Sequence, residues 1–283
     1  MYSDLHCDSI TKAYCEKISL FDGTLAVRVG SDKFIKREQC FALWLDDKLQ
    51  GEPAFSYAKN LLQFYKACED EIKSMGVIPR LTIENASALG GNLDNIACFK
   101  EQGVEMMSLT WNGENDLASG VNAAGGLKDK GKQAVREMES CGIILDVSHL
   151  NEEGFRDVCK IATKPFVASH SNCYDICPHK RNLKRWQLKE IISRGGLIGI
   201  NFYPLFLGTG SAFERVKDNI DYILSIGGEN CIALGSDFDG AQMSDELKSA
   251  EDVENLREYL LSAGMSRSVV EKVFYKNANG FLA

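Results

Sequence analysis

The chain has 283 residues, 45% of them hydrophobic and 9% aromatic, enough to bury the core of one α/β barrel domain of about 250 residues. Its formal charge of −8 and pI near 5.2 argue against a nucleic-acid groove, because no stretch gathers the Lys and Arg that displace phosphate counterions. No apolar run approaches the roughly 20 residues of a membrane span, and the opening stretch lacks the basic and apolar regions of a signal peptide. Ten cysteines are scattered singly through apolar segments, which reads as reduced thiols of a cytoplasmic protein and not as disulfide staples.

Taken in chain order, apolar β-rich stretches fall at 4–7, 40–45, 80–84, 105–110, 142–147, 166–169, 197–202 and 231–236. Between them lie amphipathic patterns at 54–73, 92–101, 128–140, 151–161, 183–193 and 212–225, several of them ending at Gly as helices tend to. Alternation of strand and helix along the whole chain predicts a parallel sheet, and eight such strands favour closure into a (β/α)8 TIM barrel. The open dinucleotide-binding alternative lacks its Gly-x-Gly-x-x-Gly after an early strand. With no linker, repeat or low-complexity tract, residues 1–283 are expected to form a single domain.

A barrel places its chemistry at the C-terminal ends of its strands, and the polar residues of this chain obey that demand. His6 and Asp8 accompany the first strand; a His-x-Asp pair in extended chain presents imidazole and carboxylate on one face. Glu84 ends the third strand, His149 follows the fifth, His170 the sixth and Asp237 the eighth. Each has an ordinary structural reading on its own. Asp8 suits a helix cap, Glu84 a helix-start charge, His149 a cap before Asn151, His170 a satisfied core histidine, and Asp237 a turn beside Phe238-Asp239-Gly240. Six ligand-type residues at five strand ends point jointly to a metal site.

The motifs themselves carry a resemblance. Leu5-His6-Cys7-Asp8, Asp146-Val147-Ser148-His149, Ser169-His170-Ser171, Lys180-Arg181-Asn182, Asn201-Phe202-Tyr203 and Gly235-Ser236-Asp237-Phe238-Asp239-Gly240 resemble the ordered motifs of the membrane (renal) dipeptidase family, the M19 metallopeptidases. Asn277-Ala278-Asn279-Gly280-Phe281 is similar to that family's closing helix. The resemblance implies an amidohydrolase-type barrel and a zinc-dependent hydrolase of dipeptides, including those with a D-residue at the C-terminal position.

Carried over by residue, the resemblance implies two Zn2+ bridged by Glu84, with His6, Asp8 and Asp237 at one and His149 and His170 at the other. Imidazoles and carboxylates are good zinc ligands, and zinc-bound water ionises near neutral pH to supply a nucleophile. Asp237 would be the catalytic residue, taking the proton of that water and delivering it to the leaving amine. Arg181 matches the anchor for the substrate's terminal carboxylate, and Tyr203 a residue that helps hold the substrate. Without the motif, Arg181 is one cation in a solvated run.

One departure concerns the loop after the fourth strand. Many members carry a histidine there that steadies the developing oxyanion; this chain reads Leu109-Thr110-Trp111-Asn112-Gly113. Indole donates a hydrogen bond but takes no proton and binds no metal, while Asn112 offers an amide, so Trp111 and Asn112 join the expected substrate-binding residues. Losing an oxyanion donor commonly costs a factor of about 10² to 10³ in rate. Trp111 also reads as a loop aromatic packed beside the barrel mouth.

A rival metal site is conceivable in His170-Ser171-Asn172-Cys173-Tyr174-Asp175-Ile176-Cys177-Pro178-His179, although its spacing is tight for a tetrahedron. Rival functions are another amidohydrolase-type hydrolase acting on N-acyl amino acids, lactones or other amides, and a weakly active or non-catalytic metal-binding relative. The expected partner is a small dipeptide substrate, with no nucleic acid and no membrane; the sequence leaves a homodimer open.

Overall fold

A computed structural model describes residues 1–29 and 37–283. Its centre is a curled sheet of seven parallel strands: β1 Tyr2–Asp4, β2 Arg37–Trp44, β3 Val77–Glu84, β4 Val104–Ser108, β5 Ile144–Asp146, β6 Ile198–Ile200 and β7 Ile232–Leu234. Their order in space is β5-β4-β3-β2-β1-β7-β6, so the first strand lies mid-sheet beside the last. The longest pairing runs in register from Arg37 opposite Val77 to Trp44 opposite Glu84, which delivers Glu84 to the C-terminal edge.

The helices are α1 Ser9–Glu16, α2 Gly51–Ser74, α3 Asn95–Glu101, α4 Asp129–Cys141, α5 Glu152–Ile161, α6 Arg185–Ser193, α7 Pro204–Leu207, α8 Ala212–Ser225, α9 Val253–Ser262, α10 Arg267–Glu271 and α11 Asn277–Leu282. Most pack an apolar stripe against the sheet, whose strands are buried on both faces as parallel sheets require. All six expected helices form within a few residues of their predicted bounds. α1, α7, α9 and α10 were not among the expected amphipathic segments; α1, α7 and α10 are too short for a clear 3.6-residue period. No helix among the described residues is long and apolar enough to cross a membrane.

Two strand expectations change. The first strand occupies Tyr2–Asp4 and not 4–7, although Cys7 still bonds to Cys40 and Ala42 beside it. The expected sixth strand, 166–169, is reduced to single parallel bridges, Val167 to Asp146 and Ala168 to Ile198. The structure therefore contains a curled seven-stranded sheet and not eight regular strands. The backbone is crowded where this segment ends. The Ser169 carbonyl lies so close to Gly199 and Gly235 that a Cβ on either would collide with it. Two glycines thus admit the chain that carries His170.

Candidate metal centre

All six expected ligand residues converge at the C-terminal edge of the sheet, and all are buried. Two groups hold ligand atoms within 4.8 Å of one another: His6, Glu84 and His170; and His6, Asp8 and Asp237. His6 Nε2 stands 3.3 Å from Asp8 Oδ2, 3.3 Å from Glu84 Oε2 and 4.0 Å from Asp237 Oδ1. On the other side, Glu84 Oε1 lies 2.7 Å from His149 Nε2 and 3.7 Å from His170 Nε2. Glu84 thus presents one oxygen to each side.

The donors are oriented by their neighbours. Ser169 Oγ gives its proton to Asp146 Oδ2 at 2.5 Å, so at 2.7 Å it accepts from His170 Nδ1–H and leaves His170 Nε2 bare. Asn112 Oδ1, 2.9 Å from His149 Nδ1, fixes the same tautomer there. The two bare Nε2 atoms face each other at 2.8 Å. Asp237 Oδ2 accepts from Asn201 Nδ2 at 2.9 Å, which leaves Oδ1 toward His6.

Backbone strain accompanies this convergence. His149 (φ 68°) and Asp237 (φ 65°) both adopt the left-handed conformation, which costs a non-glycine residue about 1 kcal/mol or more and recurs at functional sites. Gly240 completes the turn, since a side chain there would strike the Asp8 and Asp237 carboxylates. Asp239 braces it, accepting from Ser9 Oγ at 2.6 Å, Ala26 N–H at 2.8 Å and Val27 N–H at 3.2 Å, and pairing with Lys12 at 3.2 Å.

The electrostatics call for cations. Burial, reinforced by the Asp8 carboxylate, pushes Glu84 up to about 7 and Asp237 up to about 6, although His6 opposes both shifts. Burial would depress His6, yet Asp8 and Glu84 together raise it well above the ordinary imidazole value. His149 and His170 move down, through burial first and then the positive fields of Arg181 and His6. Three buried carboxylates, Asp8, Glu84 and Asp237, thus crowd around one imidazole. Asp8 Oδ1 is buried without a partner, and the imidazoles present bare nitrogens; this donor set fits divalent cations.

The remaining expected residues divide between two cavities. Tyr203, Trp111 and Asn112 line one of about 380 Å³, floored by Asp8, Glu84 and Asp237. Arg181 lines a neighbouring one of about 330 Å³, with His149 common to both. Arg181 is buried, donates to Ser171 Oγ at 3.4 Å and to the His170 carbonyl at 3.3 Å, and keeps Nε unpartnered. Asn112, which lines the first cavity, offers its oxygen to His149, and its amide nitrogen takes no part in that bond.

The rival Cys/His cluster does not assemble. Cys173 is bound to Asn219, Cys177 points to the Leu205 carbonyl, and His179 Nδ1 accepts from the Arg181 N–H. Asp146, Ser169 and Asn201 stood inside recognised motifs, but only their hydrogen bonds disclose that they orient ligands.

Fold and donor set together define an amidohydrolase-like metal centre with two candidate clusters that share His6, beside which Glu84 turns one oxygen to His6 and the other to His149. The chain belongs to the membrane dipeptidase family, peptidase family M19, which matches residues 48–279. His6 and Asp8 precede that match, so their convergence with Glu84 is independent support.

An uncharacterized protein from the pqqA 5′ region of Klebsiella pneumoniae is 34% identical over 209 residues, 69% of this chain and 77% of its own length. Dipeptidase aclJ of Aspergillus oryzae is 34% identical over 197 residues, 66% of this chain but 46% of that protein. Among solved structures, a metallopeptidase of Rhodobacter sphaeroides bound to a phosphinate mimic of L-Ala-D-Ala superposes with a TM-score of 0.88 at 23% identity, covering 99% of this chain and 98% of that one. Dipeptidase AC, an M19 metallopeptidase, gives 0.90 at 24% identity, with 99% and 97% covered. At those identities the two structures establish the shared fold.

Proposed function

We propose that this chain is a dinuclear zinc dipeptidase that hydrolyses dipeptides, including those with a D-residue at the C-terminal position. The observation that carries the reading is Glu84, whose two oxygens address His6 and His149 separately. His6, Asp8 and Asp237 would hold one cation and His149 and His170 the other, with Glu84 shared. When bound, the two zinc ions polarise the scissile carbonyl and lower the pKa of the attacking water to about 7.

The chain's own residues supply the rest. Arg181 receives the substrate's terminal carboxylate with a guanidinium whose Nε lacks a protein partner, and Tyr203 helps to hold the bound peptide. Asp237, with Oδ2 tied to Asn201, takes the proton of the attacking water on Oδ1 and returns it to the leaving amine. Trp111 and Asn112 stand at the mouth of the cavity, Asn112 holding His149 in register.

We further read residues 1–283 as one domain whose barrel closes through 166–169; the parallel bridges of that segment to both neighbours support this reading. Ten free cysteines are in keeping with a reducing, cytoplasmic setting.

Zinc analysis of the purified protein and a panel of dipeptides with L- and D-residues at the second position test the proposal. It expects about two zinc ions per chain and release of both amino acids. Inert dipeptides alongside rapid turnover of N-acyl amino acids or lactones would replace it with the other hydrolase reading.

A further inference from the structure

We infer that the substrate residue on the acyl side of the scissile bond is bulky and apolar, with aromatic side chains preferred. The inference rests on the dipeptidase reading and adds a substrate class to it. Four aromatic side chains line the 380 Å³ cavity: Trp44, Trp111, Tyr203 and Phe206. Trp44 and Trp111 meet edge to face with centroids 5.0 Å apart at 82°, and Tyr203 and Phe206 do so at 4.9 Å and 85°. All four are half-buried, and none belongs to the apolar core or to the residues packed on it. Phe206 also meets His179 at 4.7 Å and the Arg181 guanidinium at 5.4 Å, so the two tryptophans and Tyr203 supply most of the apolar wall open to a substrate.

Charge in that cavity is already spoken for. Among the described residues its one Lys or Arg, Lys12, is paired with Asp239, which also accepts from Ser9 and two backbone N–H groups. Asp8, Glu84 and Asp237 form the metal-binding floor. Among the described lining residues an acidic acyl-side residue meets no unpaired Lys or Arg, and any charged one loses hydration. An apolar one gains burial against preformed ring edges and faces. The end of the substrate is set by Arg181, which lines the neighbouring cavity: with the terminal carboxylate drawn there, the acyl-side residue is left among the aromatics.

The test is a series of X-D-Ala dipeptides, with X as Ala, Leu, Phe, Trp, Glu or Lys, assayed on the zinc-loaded enzyme. Phe and Leu should exceed Ala in kcat/KM by about 10- to 100-fold, with Glu and Lys below Ala. Trp44→Ala should shrink the Phe-to-Ala ratio severalfold. Equal rates across the series, or a preference for Glu or Lys, would overturn the inference while leaving the dipeptidase reading intact. If no dipeptide turns over, that reading fails separately. Calorimetry with phosphinate mimics of Phe-D-Ala and Ala-D-Ala then decides: tighter Phe binding supports the aromatic site, and equal or absent binding overturns it.

Discussion

In the proposed centre the carboxylate half, His6, Asp8 and Asp237, is assembled by charge, whereas the imidazole half, His149 and His170, is assembled by hydrogen bonds that set ring tautomers. In the first, carboxylates raise the proton affinity of His6 against its burial; in the second, burial and the positive fields of Arg181 and His6 keep both rings neutral. The same residue type is thus driven in opposite directions a few ångströms apart. A cation replaces protons in one half and fills bare lone pairs in the other, so damage should propagate differently from each.

Glu84 belongs to both halves, and Glu84→Ala should have the largest effect: zinc falling from about two ions per chain to below one, with turnover lost. Retention of two zinc ions would break the bridged picture. Next come His149→Ala and His170→Ala, each expected to empty the imidazole half while the carboxylate half keeps its ion. Metal analysis that finds both ions lost together would show that the halves are not separable.

Asp237→Asn should retain most of the metal and lower kcat by about 10² to 10⁴, because an amide cannot carry the proton. Full activity would remove Asp237 from the proton path. Asn112→Ala acts only through the His149 tautomer and should weaken zinc binding in that half by about 10- to 100-fold, read by chelator competition. Smallest of all, the double change Cys173→Ser with Cys177→Ser should leave the zinc content as it is; a lost ion would reinstate the cysteine site.

Much of this centre was legible before any coordinates. The residues that end apolar strands are confined to one edge of a parallel sheet, so Glu84, His149, His170 and Asp237 could be grouped from strand placement alone. The His6-x-Asp8 pair was also readable, although those residues lie beyond the regular strand. Asn201, Ser169 and Asp146 were visible in motifs but mute, because a residue that orients a ligand carries no spacing rule of its own. The sixth expected strand was over-read: Phe166, Val167 and Ala168 have the right composition, but composition is blind to the close approach of Ser169 to Gly199 and Gly235.

By itself the sequence determined the alternation of strand and helix, the family, and the ligand types, since periodicity and residue chemistry are local properties. Only the tertiary structure decided which oxygen of Glu84 serves which histidine, which tautomer each ring adopts, and that Arg181 lines a different cavity from Trp111 and Tyr203. Those outcomes depend on side chains far apart in sequence meeting within a few ångströms. Packing of the curled sheet, with glycines at its tightest contacts, sets such distances, and no local pattern contains them.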